Sequence, residues 1–180
     1  MTLTLEERIR RHEDAKMLAI RMHGIQDYDG FPYQKHLTDV ENELLDHGYE
    51  QYGDHTVCAW VHDILEDCPI SYNDIKKQFG EKIAEIVYCV TDELGRNRKE
   101  RKAKTLPKIK SNLDAIPIKL ADRIANVRNA IKHNHSMIDA YVREHAEFKK
   151  QLYFKDGAKE KLHPDERVEK LWNTLDNLMK

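Results

Sequence analysis

Glycine and proline are scarce in this chain, and their scarcity argues against an all-β fold. Only seven glycines and five prolines occur in 180 residues, too few for the tight turns that a sandwich or a barrel needs between its strands. A chain of this length fits one domain that buries about two-thirds of its unfolded surface. We therefore expect an all-α, single-domain bundle of about eight to nine helices, covering residues 1–180.

Paired cysteines, long apolar runs and a strong net charge are also missing. The three cysteines are odd in number and lack C-x-x-C spacing, which argues against a disulfide framework or a structural zinc site and favours reduced thiols in the cytoplasm. The chain opens with charged residues and has no apolar run long enough to span a membrane. A net charge of −2 gives no reason to expect DNA, RNA or a membrane as partner. Whether the chain forms a homo-oligomer is left open by the sequence.

Apolar residues recur at helical spacing along most of the chain. Thr4 and Glu7 have the form of a capping box before the first such run. Residues 24–32 carry turn chemistry and are predicted to form a loop, and residues 96–110 hold eight Lys or Arg and one Glu. The predicted helices cover about 4–22, 33–47, 55–67, 71–79, 81–91, 114–130, 137–153 and 164–179.

Histidines and carboxylates stand in three separate fragments, PYQKH, HDILED (which holds two pairs) and KLADR. Two imidazoles and two carboxylates can hold one divalent cation. On a helix, His62 and Glu66 would share one face, as would Asp63 and Asp67. Acids in so apolar a helix are costly to bury without metal, water or cations. The fragments therefore predict metal-assisted hydrolysis, with an acid pair that can handle a proton. The residues are His36, His62, Asp63, Glu66, Asp67 and Asp122.

The segments PYQKH, AWVHDILED, FGEKIAEIVYCVTD and IPIKLADRIANV follow one another between about residues 15 and 130. In this order they resemble the HD-domain phosphohydrolases, and more closely the hydrolase domain of RelA/SpoT proteins and their small single-domain, metazoan SpoT homolog-like relatives. The resemblance implies an all-helical fold and one metal ion, usually manganese. It implies that Glu66 and Asp67 act on the attacking water and that Asn126 helps to hold the nucleotide or its phosphate. The implied metal ligands are His36, His62, Asp63 and Asp122.

The nearest activity in the resembling family removes pyrophosphate from the 3′ position of guanosine 3′,5′-bis(diphosphate). Those hydrolases carry an Arg-Lys pair before the first metal histidine, whereas this chain has Asp27 and Tyr28. Two cations are thus replaced by an anion and an aromatic ring, and Tyr28 can stack on a base. The family also has a cationic segment near the substrate phosphates, and Arg98 and Arg101 are the predicted contacts in residues 96–110.

Other functions remain open from the sequence. An HD hydrolase could act on another nucleotide, such as the 2′-phosphate of NADPH or a nucleoside mono- or triphosphate. A nucleotide-sensing HD module would bind without cutting, although the intact Glu66-Asp67 pair argues against it, and a purely structural helical protein is the third alternative. The C-terminal helices, within residues 137–180, either complete the pocket or form a partner surface.

Several further residues have simpler predicted roles. His133, His135 and His145 are expected on the surface rather than in a second metal site. Trp60 and Trp172 are predicted core residues. Lys119 and Arg123, which flank Asp122, are predicted to pair with nearby acids.

Overall fold

Helices dominate the computed structural model, which describes residues 3–133, 135–153 and 163–180. The described residues form ten helical segments and one short hairpin, and the segment α4 has only four residues. The all-α prediction is therefore confirmed. The elements are α1 (Leu5–His23), β1 (Asp27–Tyr28), β2 (Phe31–Pro32), α2 (Gln34–Asp46), α3 (Asp54–Val61), α4 (Ile64–Asp67), α5 (Tyr72–Phe79), α6 (Glu81–Val90), α7 (Arg98–Lys110), α8 (Ala115–Lys132), α9 (Met137–Leu152) and α10 (Glu166–Leu178).

The helix starts follow from local side-chain chemistry. Thr4 and Glu7 form the predicted capping box of α1, in which each side chain accepts a hydrogen bond from the other residue's backbone amide. Ser71 and Asp74 do the same for α5. The Asn97 side chain accepts a hydrogen bond from the Glu100 amide and so begins the basic helix α7.

Helix α8 lies at the centre of the fold. Thirteen of its 18 residues are buried, and it packs against α2, α3, α6, α7, α9 and α10. Most of the buried residues are apolar, but Asp122 and Arg123 are polar and lie midway along the helix. The helix therefore carries charged groups into the interior, where they need compensating partners.

The helix predicted over residues 55–67 is wrong as one continuous element. It begins at Asp54, ends at Val61 and resumes as α4 at Ile64. Between the two, Asp63 adopts φ −96° and ψ −1°, outside the regular α-helical values. The apolar pattern runs through the break without a glycine or proline, which is why the break could not be predicted from the sequence.

The predicted loop over residues 24–32 contains a two-stranded antiparallel hairpin, in which Asp27 pairs with Pro32 and Tyr28 with Phe31. Its two turn residues, Asp29 and Gly30, have φ values of 52° and 85°. Positive φ at both central positions is the requirement of a type I′ turn, which Asp-Gly satisfies. The hairpin brings Tyr28 towards α8.

The C-terminal helices α9 and α10 complete the bundle, with α9 against α7 and α8 and α10 against α8. Trp60 and Trp172 are each 1% exposed, which confirms them as core residues. The predicted break at residues 133–136 separates α8 from α9, although Asn134 lies outside the described residues. Residues 154–162, within the predicted C-terminal helical region, also lie outside them.

Candidate metal centre

Four predicted ligands lie together where α2, α8 and the α3–α4 break meet. The Nε2 atoms of His36 and His62 are 3.3 Å apart. Asp63 Oδ2 lies 2.9 Å from His62 Nε2 and 3.5 Å from His36 Nε2. Asp122 Oδ1 lies 3.5 Å from His36 Nε2 and 3.9 Å from His62 Nε2. Four side chains from three parts of the chain thus converge on one point.

Neighbouring groups orient the two ligands that lie at the break. His62 Nδ1 is 2.9 Å from the carbonyl oxygen of Ala59, so it carries a proton and leaves Nε2 directed at the cluster. The hydroxyl of Tyr33 donates a hydrogen bond of 2.6 Å to Asp63 Oδ2. Such outer contacts fix the tautomer and the orientation of metal-binding side chains.

The electrostatics of the cluster favour positive charge at its centre. Burial alone would lower the pKa of His62, but Asp63 and Asp122 outweigh it and raise that pKa to about 9. Burial opposes the charged form of Asp122, yet Lys119 and His62 hold the pKa of its carboxyl down at about 2. The pKa of Asp63 is likewise well below its ordinary value, because both histidines outweigh its burial.

The donor set fits a divalent cation. With His62 protonated on Nδ1, its Nε2 presents a lone pair to two carboxylate oxygens. Such a group is self-repulsive unless a proton or a metal ion lies among its members. Donor atoms of His36, His62 and Asp122 all lie within 4.8 Å of one another, in the one group with metal-binding spacing among the described residues. Imidazole and carboxylate together suit a transition metal.

The two acids of α4 lie next to this cluster and line the same cavity. Glu66 Oε2 accepts a hydrogen bond of 3.0 Å from the backbone amide of Asp92. Burial raises the pKa of Glu66, and that hydrogen bond lowers it. Burial is the larger effect, so the pKa of Glu66 lies above its ordinary value. Asp67 Oδ2 accepts a hydrogen bond of 2.9 Å from the side-chain amide of Gln26. The predicted acid pair is therefore placed beside the predicted metal ligands.

Positive side chains form another part of the cavity wall. The cavity has a volume of about 180 Å³. Lys119 Nζ lies 2.8 Å from Asp122 Oδ2, and Lys102 Nζ lies 3.1 Å from Asp92 Oδ1. The four lining cations can neutralise several phosphate oxygens. They are Arg98, Lys102, Lys119 and Arg123.

Arg98 and Arg101, both predicted to contact substrate, have different positions. Arg98 lines the cavity and makes a two-pronged ion pair with Glu144 of α9, at 2.6 Å and 3.1 Å. Arg101 is not among the lining residues. Its nearest described acid is Asp92, 3.9 Å from its Nε, and 40% of its side chain is exposed. The structure thus brings one of the two arginines to the site.

Tyr28 and Asn126 reach the site together. The Tyr28 hydroxyl donates a hydrogen bond of 3.1 Å to Asn126 Oδ1, and its ring centre lies 4.9 Å from that of His36. Asn126 Nδ2 donates to the Asp122 carbonyl oxygen at 3.0 Å and also to the Asp122 side chain. Asp27 remains local, since its carboxylate accepts from the Gly30 amide.

Some cavity residues were missed by sequence reasoning or given only a structural role. Tyr33 lies three residues before His36, and Lys102 lies one helical turn after Arg98, so spacing alone could have suggested both. Lys119 and Arg123 pair with acids as predicted, namely Asp122 at 2.8 Å and Glu144 at 3.2 Å, but they also line the cavity. Asp92, Tyr141 and Phe148 carried no sequence signal for the site.

The histidines expected on the surface do not form a second metal centre in the described part of the chain. His145 Nε2 lies 2.8 Å from Asp176 Oδ1, across the contact between α9 and α10. His133 and His135 are exposed.

The fold and the cluster define a class: an all-helical protein in which two histidines and two aspartates converge on one candidate cation site. A family model described as HD domain matches residues 15–148. The chain therefore belongs to the HD-domain family, as its resemblance predicted. HD domains bind divalent metals, and His36, His62 and Asp122 form a candidate site for one here.

Two relatives carry names that indicate an activity. The chain is 33% identical over 131 residues to the bifunctional (p)ppGpp synthase/hydrolase SpoT of Escherichia coli K12, covering 68% of this chain and 18% of that protein. It is 32% identical over 99 residues to the Drosophila melanogaster guanosine-3′,5′-bis(diphosphate) 3′-pyrophosphohydrolase MESH1, covering 54% of this chain and 55% of that one. The chain thus spans less than two-thirds of either relative.

Solved structures share the fold. One, a metazoan ortholog of SpoT described as hydrolyzing ppGpp, superposes with a TM-score of 0.71 at 21% identity and covers 99% of this chain and 96% of its own. Another, from Listeria monocytogenes, has a TM-score of 0.62 at 22% identity and covers 85% of this chain and 99% of its own. At these identities the likeness establishes the helical fold alone. No helix in the described ranges has the length and apolar character needed to cross a membrane.

Proposed function

We propose that this chain is a metal-dependent phosphohydrolase of a small phosphorylated nucleotide, most like guanosine 3′,5′-bis(diphosphate) 3′-pyrophosphohydrolase. The observation that carries the proposal is one cavity that joins the His/Asp cluster, the acid pair and four cations. The names of SpoT and MESH1 support the same reaction class. We propose that the domain covers residues 1–180 and acts in the cytoplasm; a homo-oligomer stays a prediction.

The predicted metal is manganese, and its proposed ligands are His36, His62, Asp63 and Asp122. When bound, such an ion supplies Lewis acidity that acidifies a water molecule and polarises a phosphoryl group. His62 would have to bind it as a neutral imidazole. The hydrogen bond from its Nδ1 to the Ala59 carbonyl keeps Nε2 as the binding atom.

The chain's own residues would orient the reactants and handle the proton. Glu66 is the candidate acceptor of the proton from water, because it lines the cavity beside the cluster and burial raises the pKa of its carboxyl above its ordinary value. Asp67, the next residue in the chain, would orient the water. Lys102 and Lys119 would balance the charge of the phosphate that is attacked, and Asn126 would bind its oxygens. A carboxylate so positioned is typically worth about 10²–10⁴-fold in rate.

The residues at positions 27 and 28 support a second candidate substrate. Asp27 and Tyr28 stand where the resembling guanosine hydrolases have Arg and Lys, and Asp27 is turned into its own hairpin. Only Tyr28 reaches the centre, through Asn126. These two positions therefore offer no cation that would favour guanosine 3′,5′-bis(diphosphate), and an adenosine ribose carrying a 2′-phosphate, as in NADPH, is the second candidate substrate.

The test is a panel assay with the protein loaded with Mn²⁺. The panel holds guanosine 3′,5′-bis(diphosphate), NADPH and nucleoside mono- and triphosphates, and released phosphate and pyrophosphate are measured separately. We expect turnover of at least one member, and none after the metal is removed by chelation. Tight nucleotide binding without turnover, in protein with metal verified by elemental analysis, would refute the enzyme and support the sensing alternative.

A further inference from the structure

The end of α1 makes a hydrogen-bonded connection to the acid pair that the proposed mechanism does not use. His23, in the last turn of α1, is 6% exposed. Its Nδ1 lies 2.8 Å from Gln26 Oε1, and Gln26 Nε2 lies 2.9 Å from Asp67 Oδ2. Three side chains thus form a line from the core to the mouth of the cavity.

The chemistry of the acceptors fixes the direction of each bond. An ionised Asp67 only accepts hydrogen bonds, so the Gln26 group facing it must be the amide NH₂. Gln26 therefore turns its carbonyl oxygen to His23, and the His23 atom facing it must be a protonated Nδ1. Cys68 Sγ, at 3.7 Å from the same nitrogen, is a longer and weaker contact.

The backbone holds Gln26 in the place that this direction requires. Its amide donates to the His23 carbonyl oxygen at 2.9 Å, and its carbonyl oxygen accepts from the Tyr33 amide at 3.0 Å. The His23 ring is stacked on the Tyr33 ring, with centres 4.4 Å apart and planes 20° apart. Both ends of the connection are therefore fixed by contacts outside it.

We propose that His23 and Gln26 are positioning residues that hold the Asp67 carboxylate in its reactive orientation, through a His23 Nδ1–H to Gln26 Oε1 bond and a Gln26 N–H to Asp67 bond. The inference rests on the proposed function, in which Asp67 orients the attacking water. Without the connection, Asp67 lies at the exposed end of α4 and can rotate away from the water. Since misplacement of a reacting group by about 1 Å can cost about 10²-fold, the effect belongs to kcat rather than to KM.

The first test is kinetic. Gln26→Leu keeps the size of the side chain and removes the amide, and we expect kcat to fall about tenfold with KM and metal content unchanged. His23→Asn keeps a donor near the Nδ1 position and is expected to retain more kcat than His23→Leu. Ile25→Ala is the matched control, because Ile25 is in the same loop and fully exposed. Thermal unfolding verifies that each variant is folded.

The decisive arm repeats Gln26→Leu in an Asp67→Ala background. If Gln26 acts through Asp67, the second substitution changes the remaining kcat by less than about twofold. An equal tenfold loss in both backgrounds would overturn the proposal, and so would full activity of Asp67→Ala.

A spectroscopic arm separates this inference from the proposed function. Nitrogen-15 NMR of the imidazole rings, with Zn²⁺ in place of paramagnetic Mn²⁺, reports which His23 nitrogen carries hydrogen. A protonated Nδ1 supports the connection even if the nucleotide panel shows no turnover. An unprotonated Nδ1 overturns it even in an active enzyme.

Discussion

Three of the metal ligands in the cavity are almost fully buried, whereas its four lining cations range from buried to about one-third exposed. His36, His62 and Asp122 are 2%, 1% and 7% exposed and lie on or beside helices packed in the core. The side chains of the lining cations Arg123, Lys119, Lys102 and Arg98 are 8%, 11%, 17% and 33% exposed. Buried polar groups depend on every partner, whereas exposed ion pairs contribute little each. The metal wall, formed by the four predicted ligands, should therefore fail completely on substitution, and the cationic wall, formed by the four lining cations, by degrees.

Asp63→Ala should give the largest effect. It removes one of two carboxylates from the cluster and leaves the Tyr33 hydroxyl without its acceptor. We expect loss of bound metal and a fall in activity of at least about 10³-fold, because the Lewis acid is lost with the ligand. Elemental analysis measures the bound metal, and initial rates measure the activity. Retention of stoichiometric metal with normal turnover would contradict the proposed ligand set.

Glu66→Gln should give the next largest effect and separate proton handling from metal binding. The glutamine oxygen can still accept from the Asp92 amide, so the local backbone contact is kept. We expect metal content to stay the same and kcat to fall by about 10²–10⁴-fold. If kcat instead falls only together with metal content, Glu66 belongs to the metal wall and not to proton handling.

Arg98→Ala and Arg101→Ala form a matched pair on one helix. Arg98 lines the cavity and Arg101 does not. We expect Arg98→Ala to raise KM about tenfold, because a charge-assisted contact to phosphate is lost, and Arg101→Ala to change KM by less than about twofold. Steady-state kinetics at constant ionic strength measure both. Equal effects would mean that the cationic wall acts only as a diffuse charge.

Lys102 gives the most gradual prediction, a dependence of KM on pH. Burial, aided by Lys119 and opposed by Asp92, lowers the pKa of Lys102 to about 8. The side chain is therefore charged below that pH and becomes neutral above it, so binding of a phosphorylated substrate should weaken as pH rises. We expect KM to rise by up to about tenfold between about pH 7 and 9. Lys102→Arg keeps the charge over this pH range, so KM of this variant should change little between about pH 7 and 9. If KM still rises as it does with lysine, another group causes the pH dependence.

The sequence predicted the metal wall better than the cationic wall for a physical reason. Histidines and aspartates inside apolar helices are anomalous unless they are compensated, so His62 and Asp122 are visible in a single sequence. Arginines on a basic helix are ordinary, and Arg98 and Arg101, three residues apart, are expected on the same side of it. They differ in tertiary contacts, because Arg98 pairs with Glu144, which is 46 residues away from it in the chain.

The break after Val61 was beyond prediction for a related reason. Its residues have no helix-breaking composition, and the interruption is held by tertiary contacts such as that of Tyr33 with Asp63. The type I′ turn was partly visible, since Asp29-Gly30 is a turn signal. The pairing of so short a hairpin depends on its packing beside α2, and Asp29 accepts a hydrogen bond from Asn129 of α8.

The break between α3 and α4 determines how far the acid pair lies from the metal cluster. The carbonyl oxygen of Asp63 accepts hydrogen bonds from the amides of both Glu66 and Asp67, at 3.1 Å and 3.0 Å. One residue therefore gives its side chain to the metal cluster and its backbone to the acid pair. Side-chain replacement at 66 or 67 alters the reactivity of the acids but leaves this backbone spacing in place. A proline at either position would remove one of these two amide hydrogens and loosen the spacing between the acid pair and the metal cluster.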